Sequence, residues 1–282
     1  MKKITKKTFR FEGKTYYYWI AGKASSPPLL MIPGLTGTHG NLLELSYPLR
    51  KNNYVIIPDL PGWGLSPRPK EALTITYYAR FFHALCNNLK FNKLNIFSHC
   101  MGTAVAIEFA YMNPQKVNRL IMVSAPYEEG SWGYLILKLL SKWGEKVPRS
   151  VRPLFYIWRN KYINFITGFF ILKFRNFKKK MRMLVEIFKE QAVLDNQSFV
   201  ESWLSLLDFY YLKLNKINVS FPVHLIFGKQ DLLIPNKQAI KFRSLISSRT
   251  TLDFIPEAGH LPPIETPGIL ASLVTKYLKS DT

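Results

Sequence analysis

The sequence predicts an α/β domain built on a mostly parallel central sheet with helices on both faces, interrupted by a helical insertion. Three observations carry this. Strand-like apolar runs alternate with helix-like segments as far as Pro126. That alternation resumes only at Val223. Three short motifs, bearing a thiol, a carboxylate and an imidazole, each follow a strand-like run. A βαβα order places strands side by side in parallel, with the connecting helices covering the sheet. The 282 residues suffice for one large domain with a sizeable core or for two small ones, and with an apolar content of 48% disorder is not the expected state.

Tyr16–Ile20 and Leu29–Ile32 are rich in aromatic and branched residues and read as strands. Tyr54–Pro58 is a short apolar run ending at Asp59, as expected of a buried parallel strand. Tyr77–Leu89 has apolar residues at helical spacing. Leu94–Phe97 is a further strand, Met101–Met112 a helix rich in small residues, and Leu120–Val123 the next strand. From 127 to 218 the chain is aromatic, basic and helical in period, with no clear strand. Strands return at Val223–Phe227 and Thr251–Ile255, and Ile269–Leu278 is a closing helix. The expected organisation is therefore a core of residues 1–126 and 219–282 carrying an inserted helical cap, residues 127–218.

The segment Phe97-Ser98-His99-Cys100-Met101-Gly102 joins a strand to a helix. A sharp strand-to-helix turn stands the central side chain above the sheet, and the positions two before and two after must be small, here Ser98 and Gly102. A group placed there meets the positive end of the helix dipole, which favours an anionic nucleophile. A buried structural cysteine is the competing reading. Cys86 is the contrast, since it lies inside a predicted amphipathic helix with no turn signal nearby and reads as core. Two cysteines cannot make a disulfide framework.

Phe227-Gly228-Lys229-Gln230-Asp231 ends a strand and puts Asp231 at the carboxyl edge of the sheet, where ligands bind in such folds. Gly259-His260-Leu261-Pro262-Pro263 puts His260 on the loop after another strand. Alone, an aspartate in a turn is a turn former and a loop histidine is unremarkable. Together with Cys100, in that order and each after a strand, they form a candidate triad. Met31-Ile32-Pro33-Gly34-Leu35-Thr36-Gly37 also follows a strand, and the N–H groups of Leu35 and Met101 are the candidate oxyanion donors. Pro58-Asp59-Leu60-Pro61-Gly62-Trp63-Gly64-Leu65-Ser66 follows the next strand, with Asp59 read as a structural turn former and Trp63 as a candidate pocket wall. His39, beside the oxyanion loop, and His99, beside the nucleophile, are candidate substrate contacts. For His39 a structural or capping role competes, and His99 as a turn neighbour points away from the nucleophile. His83 and His224 read as packing positions.

These motifs resemble the α/β-hydrolase superfamily over nearly the whole chain. The matching segments are Pro-Gly-Leu-Thr-Gly, Asp-Leu-Pro-Gly-Trp-Gly-Leu-Ser, Ser-His-Cys-Met-Gly, Gly-Lys-Gln-Asp and Gly-His-Leu-Pro-Pro. The order nucleophile, acid, histidine is that of the superfamily. The resemblance implies an α/β-hydrolase fold with the insertion as its cap, and acyl transfer through a covalent intermediate. It implies hydrolysis of a carboxylic ester, lactone or thioester, or alternatively an acyltransferase or polyester-synthase-like reaction on the same triad. No cofactor or metal is needed, and no cluster of ligands has metal-binding spacing. Two departures matter. Pro33-Gly34 stands where many relatives carry His-Gly, and Cys100 stands where most carry serine. Cysteine there is similar to dienelactone hydrolases and polyhydroxyalkanoate synthases, although the chain is short for a synthase; an exchanged serine is a third origin.

The net charge is +21. Composition drift explains such a charge as well as function does, but it also suits an anionic partner. From Lys138 to Arg182 there are thirteen Lys or Arg and a single acid, Glu145, interleaved with Trp143, Phe155, Trp158 and Phe169. That pattern fits peripheral contact with an anionic membrane, or simply a cap covering its site. No nucleic-acid module is recognisable, so nucleic acid is not the expected partner. No apolar run follows the basic residues Met1–Lys7, and no stretch reaches about 18 uncharged apolar residues, so the expected location is cytoplasmic.

Overall fold

A computed structural model of the chain describes residues 4–35, 37–126, 196–212, 217–246 and 249–280. They form an eight-stranded sheet in the order β1-β2-β4-β3-β5-β6-β7-β8. The strands are β1 Thr5–Phe11, β2 Lys14–Ala21, β3 Pro28–Ile32, β4 Tyr54–Pro58, β5 Leu94–His99, β6 Val117–Val123, β7 Val223–Gly228 and β8 Thr250–Ile255. β1 and β2 pair antiparallel, β2 pairs antiparallel with β4, and every other neighbour pair is parallel. The described helices are α1 Gly40–Leu49, α2 Ile75–Asn88, α3 Met101–Met112, α4 Asn196–Leu212, α5 Asn236–Leu245, α6 Pro262–Glu265 and α7 Pro267–Lys279. Among the described residues no helix is long and apolar enough to cross a membrane.

The pleat sorts side chains onto two faces. In β3, Leu30 and Ile32 join the apolar cluster under α2 and α3, while Leu29 and Met31 join the cluster under α1 and α7. β6 does the same, Leu120 and Met122 against Ile121 and Val123. β5 and β7 are buried along their whole length, as central parallel strands covered on both faces must be. α2 opens at Thr74, whose side-chain oxygen accepts the Tyr77 N–H at 3.0 Å.

Each strand expected from the sequence is present, most extended by one to three residues. β1 was not expected: five of its seven residues are polar, and Phe9 alone is buried. Phe9 meets Tyr16, Tyr18 and Phe81, which is why this edge strand holds. Most of the expected cap, with its basic stretch, lies outside the described residues. The part that is described, α4, docks on the core. Glu201 accepts from Arg68 at 2.5 Å and from the Leu73 N–H at 2.9 Å, and Ser205 accepts from the Ile75 N–H at 2.7 Å.

Candidate active site

Cys100 sits at the junction of β5 and α3 with φ +50 and ψ −124. A positive φ on a residue with a Cβ costs about 1–3 kcal/mol and persists only where the surroundings fix it. Here the Cys100 N–H donates to the Val123 carbonyl at 3.0 Å, and the Cys100 carbonyl accepts from both the N–H and the hydroxyl of Thr103, at 2.9 and 2.7 Å. Gly102 makes the turn possible. A Cβ there would lie 2.5 Å from the Pro33 carbonyl oxygen and 2.7 Å from that of Ile32. Ser98, the other small position, is fully buried and donates to the Ile121 carbonyl at 3.1 Å.

Asp231 follows β7, and one of its oxygens accepts the N–H groups of Leu233 and Ile234 at 2.8 and 2.9 Å. Its other oxygen faces His260 Nδ1 at 2.9 Å. Both residues are buried. A carboxylate facing Nδ1 leaves Nε2 for the reacting group. The Cys100 sulfur lies close enough to His260 to act on its basicity. Burial acts to lower the basicity of His260, but the Asp231 carboxylate and the Cys100 sulfur outweigh it, so the ring holds its proton well above the usual imidazole range. Three residues from three different strand ends thus meet in the order sulfur, imidazole, carboxylate. Gly228 lets the last two loops close together, since a Cβ on it would lie 2.1 Å from the Gly259 carbonyl oxygen.

The description "alpha/beta hydrolase fold" matches residues 27–267. The chain belongs to the α/β-hydrolase fold family. Monoacylglycerol lipase ABHD6 of Bos taurus is 22% identical over 275 residues, covering 96% of this chain and 81% of that one. The poly(3-hydroxyalkanoate) polymerase subunit PhaC of Haloferax mediterranei is 24% identical over 237 residues, covering 72% of this chain and 47% of that one. A thermophilic esterase from Thermogutta terrifontis superposes with a TM-score of 0.77 at 20% identity, covering 98% of each chain. This is a hydrolase-fold enzyme whose relatives include lipase-, esterase- and polymerase-like proteins.

In this family member the loop after β3 lies against Cys100. A Cβ on Gly34 would sit 3.0 Å from the Cys100 Cβ, so the peptide leading to Leu35 runs beside the thiol. Met101 is the first residue of α3, where backbone N–H groups have no partner within the helix. Among the described residues no group of three or more His, Cys, Asp or Glu is arranged to hold a metal.

The three candidate substrate contacts are all engaged by protein. Trp63 is 1% exposed and donates its indole N–H to the Tyr78 hydroxyl at 2.9 Å, which in turn meets Ser202 of α4 at 2.7 Å. It lies in the seam between the 59–66 loop and α4. His39 stacks on Trp19 with ring centroids 3.4 Å apart, and its Nδ1 meets Asp59 at 3.0 Å. It occupies the position before α1, but its side chain makes no capping bond. Asp59 is more than a turn former. It is wholly buried and accepts the N–H groups of His39 and Leu65 at 2.8 and 2.9 Å, so one carboxylate ties the oxyanion loop to the 59–66 loop. His99 is buried beneath the site, with Nε2 2.9 Å from the backbone carbonyl of His260. Away from the site, His83 meets Asn113 and Asn87 at 2.5 and 2.8 Å, and His224 stacks on Tyr277.

Sequence reasoning missed two residues at the site. Glu265 is buried and accepts from the backbone on either side of His260. Its only sequence signal is an acid shortly after Pro262-Pro263. Ser124, directly after β6, has φ +48 and a buried hydroxyl without a hydrogen-bond partner. A residue that is both strained and unsatisfied beside the elbow has no counterpart in any sequence pattern.

Proposed function

We propose that the enzyme cleaves a carboxylic ester, lactone or thioester through a thioester intermediate on Cys100, with His260 as acid and base and Asp231 orienting it. The observation that carries this reading is the His260 ring, held 2.9 Å from Asp231 on one side and near the Cys100 sulfur on the other. The proton shared by Cys100 and His260 rests on His260 Nε2 as Sγ bonds to the substrate's carbonyl carbon. The carbonyl oxygen becomes an oxyanion, placed to receive the N–H groups of Leu35 and Met101. One such donor contributes about 3–4 kcal/mol in comparable sites. Collapse breaks the bond to the leaving group, which departs with the proton from His260. A water molecule then gives a proton to His260 and attacks the thioester. The acid leaves and Cys100 recovers its proton.

A panel of p-nitrophenyl esters of increasing acyl length tests this on the native enzyme, Cys100→Ser and Cys100→Ala. Turnover by the native enzyme and none by Cys100→Ala is the expected result. Equal inertness of all three would remove ester hydrolysis as the activity.

Two observations favour a second reading, acyl transfer to an alcohol at the deacylation step. The nucleophile is a thiol, and the chain has sequence similarity to a polyester polymerase subunit. The product decides between them: free acid, or acyl joined to an added alcohol. The basic, aromatic stretch Lys138–Arg182 supports peripheral contact with an anionic membrane. Sedimentation with phosphatidylserine vesicles in low salt, absent with phosphatidylcholine alone, is the expected result; no sedimentation in low salt would sink it.

A further inference from the structure

We infer that Glu265 and His99 are positioning residues that clamp the backbone of His260 at three successive points. The inference rests on the reading of His260 as the acid and base. The need for a clamp comes from topology. Cys100 leaves β5 and His260 follows β8, three strands away in the sheet. At about 4.8 Å between strands that is about 14 Å to be bridged by one loop. Asp231, from β7, fixes the ring of His260 but not the main chain that carries it.

The main chain is fixed from both ends of the gap. On the far side, Glu265 of the single-turn helix α6 turns both carboxylate oxygens onto the loop. Oε2 accepts the Gly259 N–H, and Oε1 accepts the Leu261 N–H at 3.4 Å. Each carboxylate oxygen takes one of the two N–H groups, an arrangement that an amide, with a single acceptor oxygen, does not reproduce. On the near side, His99 at the end of β5 meets the His260 carbonyl at 2.9 Å through Nε2. A carbonyl can only accept, so Nε2 is the donor. Both side chains are about nineteen-twentieths buried, at 5% exposure for His99 and 6% for Glu265. His99 belongs to the same strand end as Cys100, so this single bond ties the histidine loop to the nucleophile's own strand. A base displaced by 1 Å loses about 10²-fold in rate, which gives such a tie its value.

The test uses proton NMR of the full-length enzyme, in which the His260 Nδ1 proton facing Asp231 is expected far downfield, together with turnover of p-nitrophenyl butyrate. Glu265→Gln and His99→Phe are expected to shift or broaden that resonance and to lower kcat about 10- to 100-fold, with KM within about twofold. His99→Gln carries a donor at the Nε2 position and is expected to restore both, which a purely structural role would not require. Glu108→Gln, which alters a buried carboxylate on α3 away from the loop, is expected to leave both unchanged. An unmoved resonance with kcat within twofold in Glu265→Gln and His99→Phe overturns the inference. So does an equal loss in Glu108→Gln. If Glu265→Gln fails to fold, the His99 pair decides alone. The triad reading fails separately: Cys100 would then react with iodoacetamide no faster than an ordinary thiol, at a rate indifferent to His260→Ala, while the resonance still judges the clamp.

Discussion

The two halves of the candidate site are built by different means. The Cys100 half is fixed by backbone. β5 delivers the residue, α3 carries the chain away, and the close approach of Gly102 to the Pro33 and Ile32 carbonyls fixes the turn between them. The His260 half is fixed by side chains, Asp231 on its ring and Glu265 and His99 on its loop. Backbone placement resists point substitution except at the glycines, whereas side-chain placement can be removed one bond at a time. The elbow is therefore the rigid reference against which the histidine is aligned.

The largest effects break both halves at once. Cys100→Ala and His260→Ala are each expected to lower kcat on an activated ester by about 10³-fold or more, since members of such a unit fail together. Cys86→Ala is expected to leave the rate within about twofold. Burial in α2 pushes the Cys86 thiol up to about 12, so it contributes no nucleophile near neutrality. Parallel loss in Cys86→Ala would contradict the assignment of the nucleophile.

Asp231→Asn sharpens the side-chain half alone. The Asp231 carboxylate opposes burial and keeps the His260 proton well above the usual imidazole range, so leaving-group protonation should persist above pH 6.5 in the native enzyme. The variant is expected to lose about 10²-fold or more in kcat/KM, and the basic limb of its pH profile should move down. A limb that stays in place would show that another group holds the proton.

Gly102→Ala tests the backbone half. A methyl 2.5 Å from the Pro33 carbonyl must displace the oxyanion loop or the elbow. The expected cost is about 2–4 kcal/mol, seen as a fall of roughly 5–10 °C in Tm. A variant as stable as the native enzyme would mean that the elbow is softer than its contacts indicate.

The same contrast explains what the sequence disclosed. The elbow was legible because its requirements are local: a strand, small residues at Ser98 and Gly102, and a helix. β3 to β7 were legible because parallel strands buried on both faces read as largely apolar runs. β1 was not, because an edge strand buries only Phe9, and α5 was not, because only Gln238, Ala239 and Phe242 are buried along it. The loop clamp was illegible for a different reason. His99 and the carbonyl it meets are 161 residues apart, and no local pattern encodes such a bond. Trp63 and His39 sat in motif loops and therefore read as substrate contacts, but Tyr78, Trp19 and Asp59 engage them.

The smallest expected effect isolates His99 from His260 through stability. Burial, aided by the nearby charge of His260, pushes His99 down to about 3, against 6.5 for an ordinary imidazole. The folded state therefore binds fewer protons here than the unfolded state between those values. The stability this residue contributes is complete above pH 6.5 and falls as pH drops toward 3, by at most about 1.4 kcal/mol per pH unit. His260 has the opposite sign. Its folded value is raised, so its contribution is complete below pH 6.5 and falls as pH rises through that higher value. Urea midpoints between pH 7 and 5 separate the two. His99→Gln should flatten the decline on the acid side, while His260→Gln should steepen it. A flattening in both variants would mean that the acid-side loss belongs to the general charge of +21 and not to the buried ring beside Cys100.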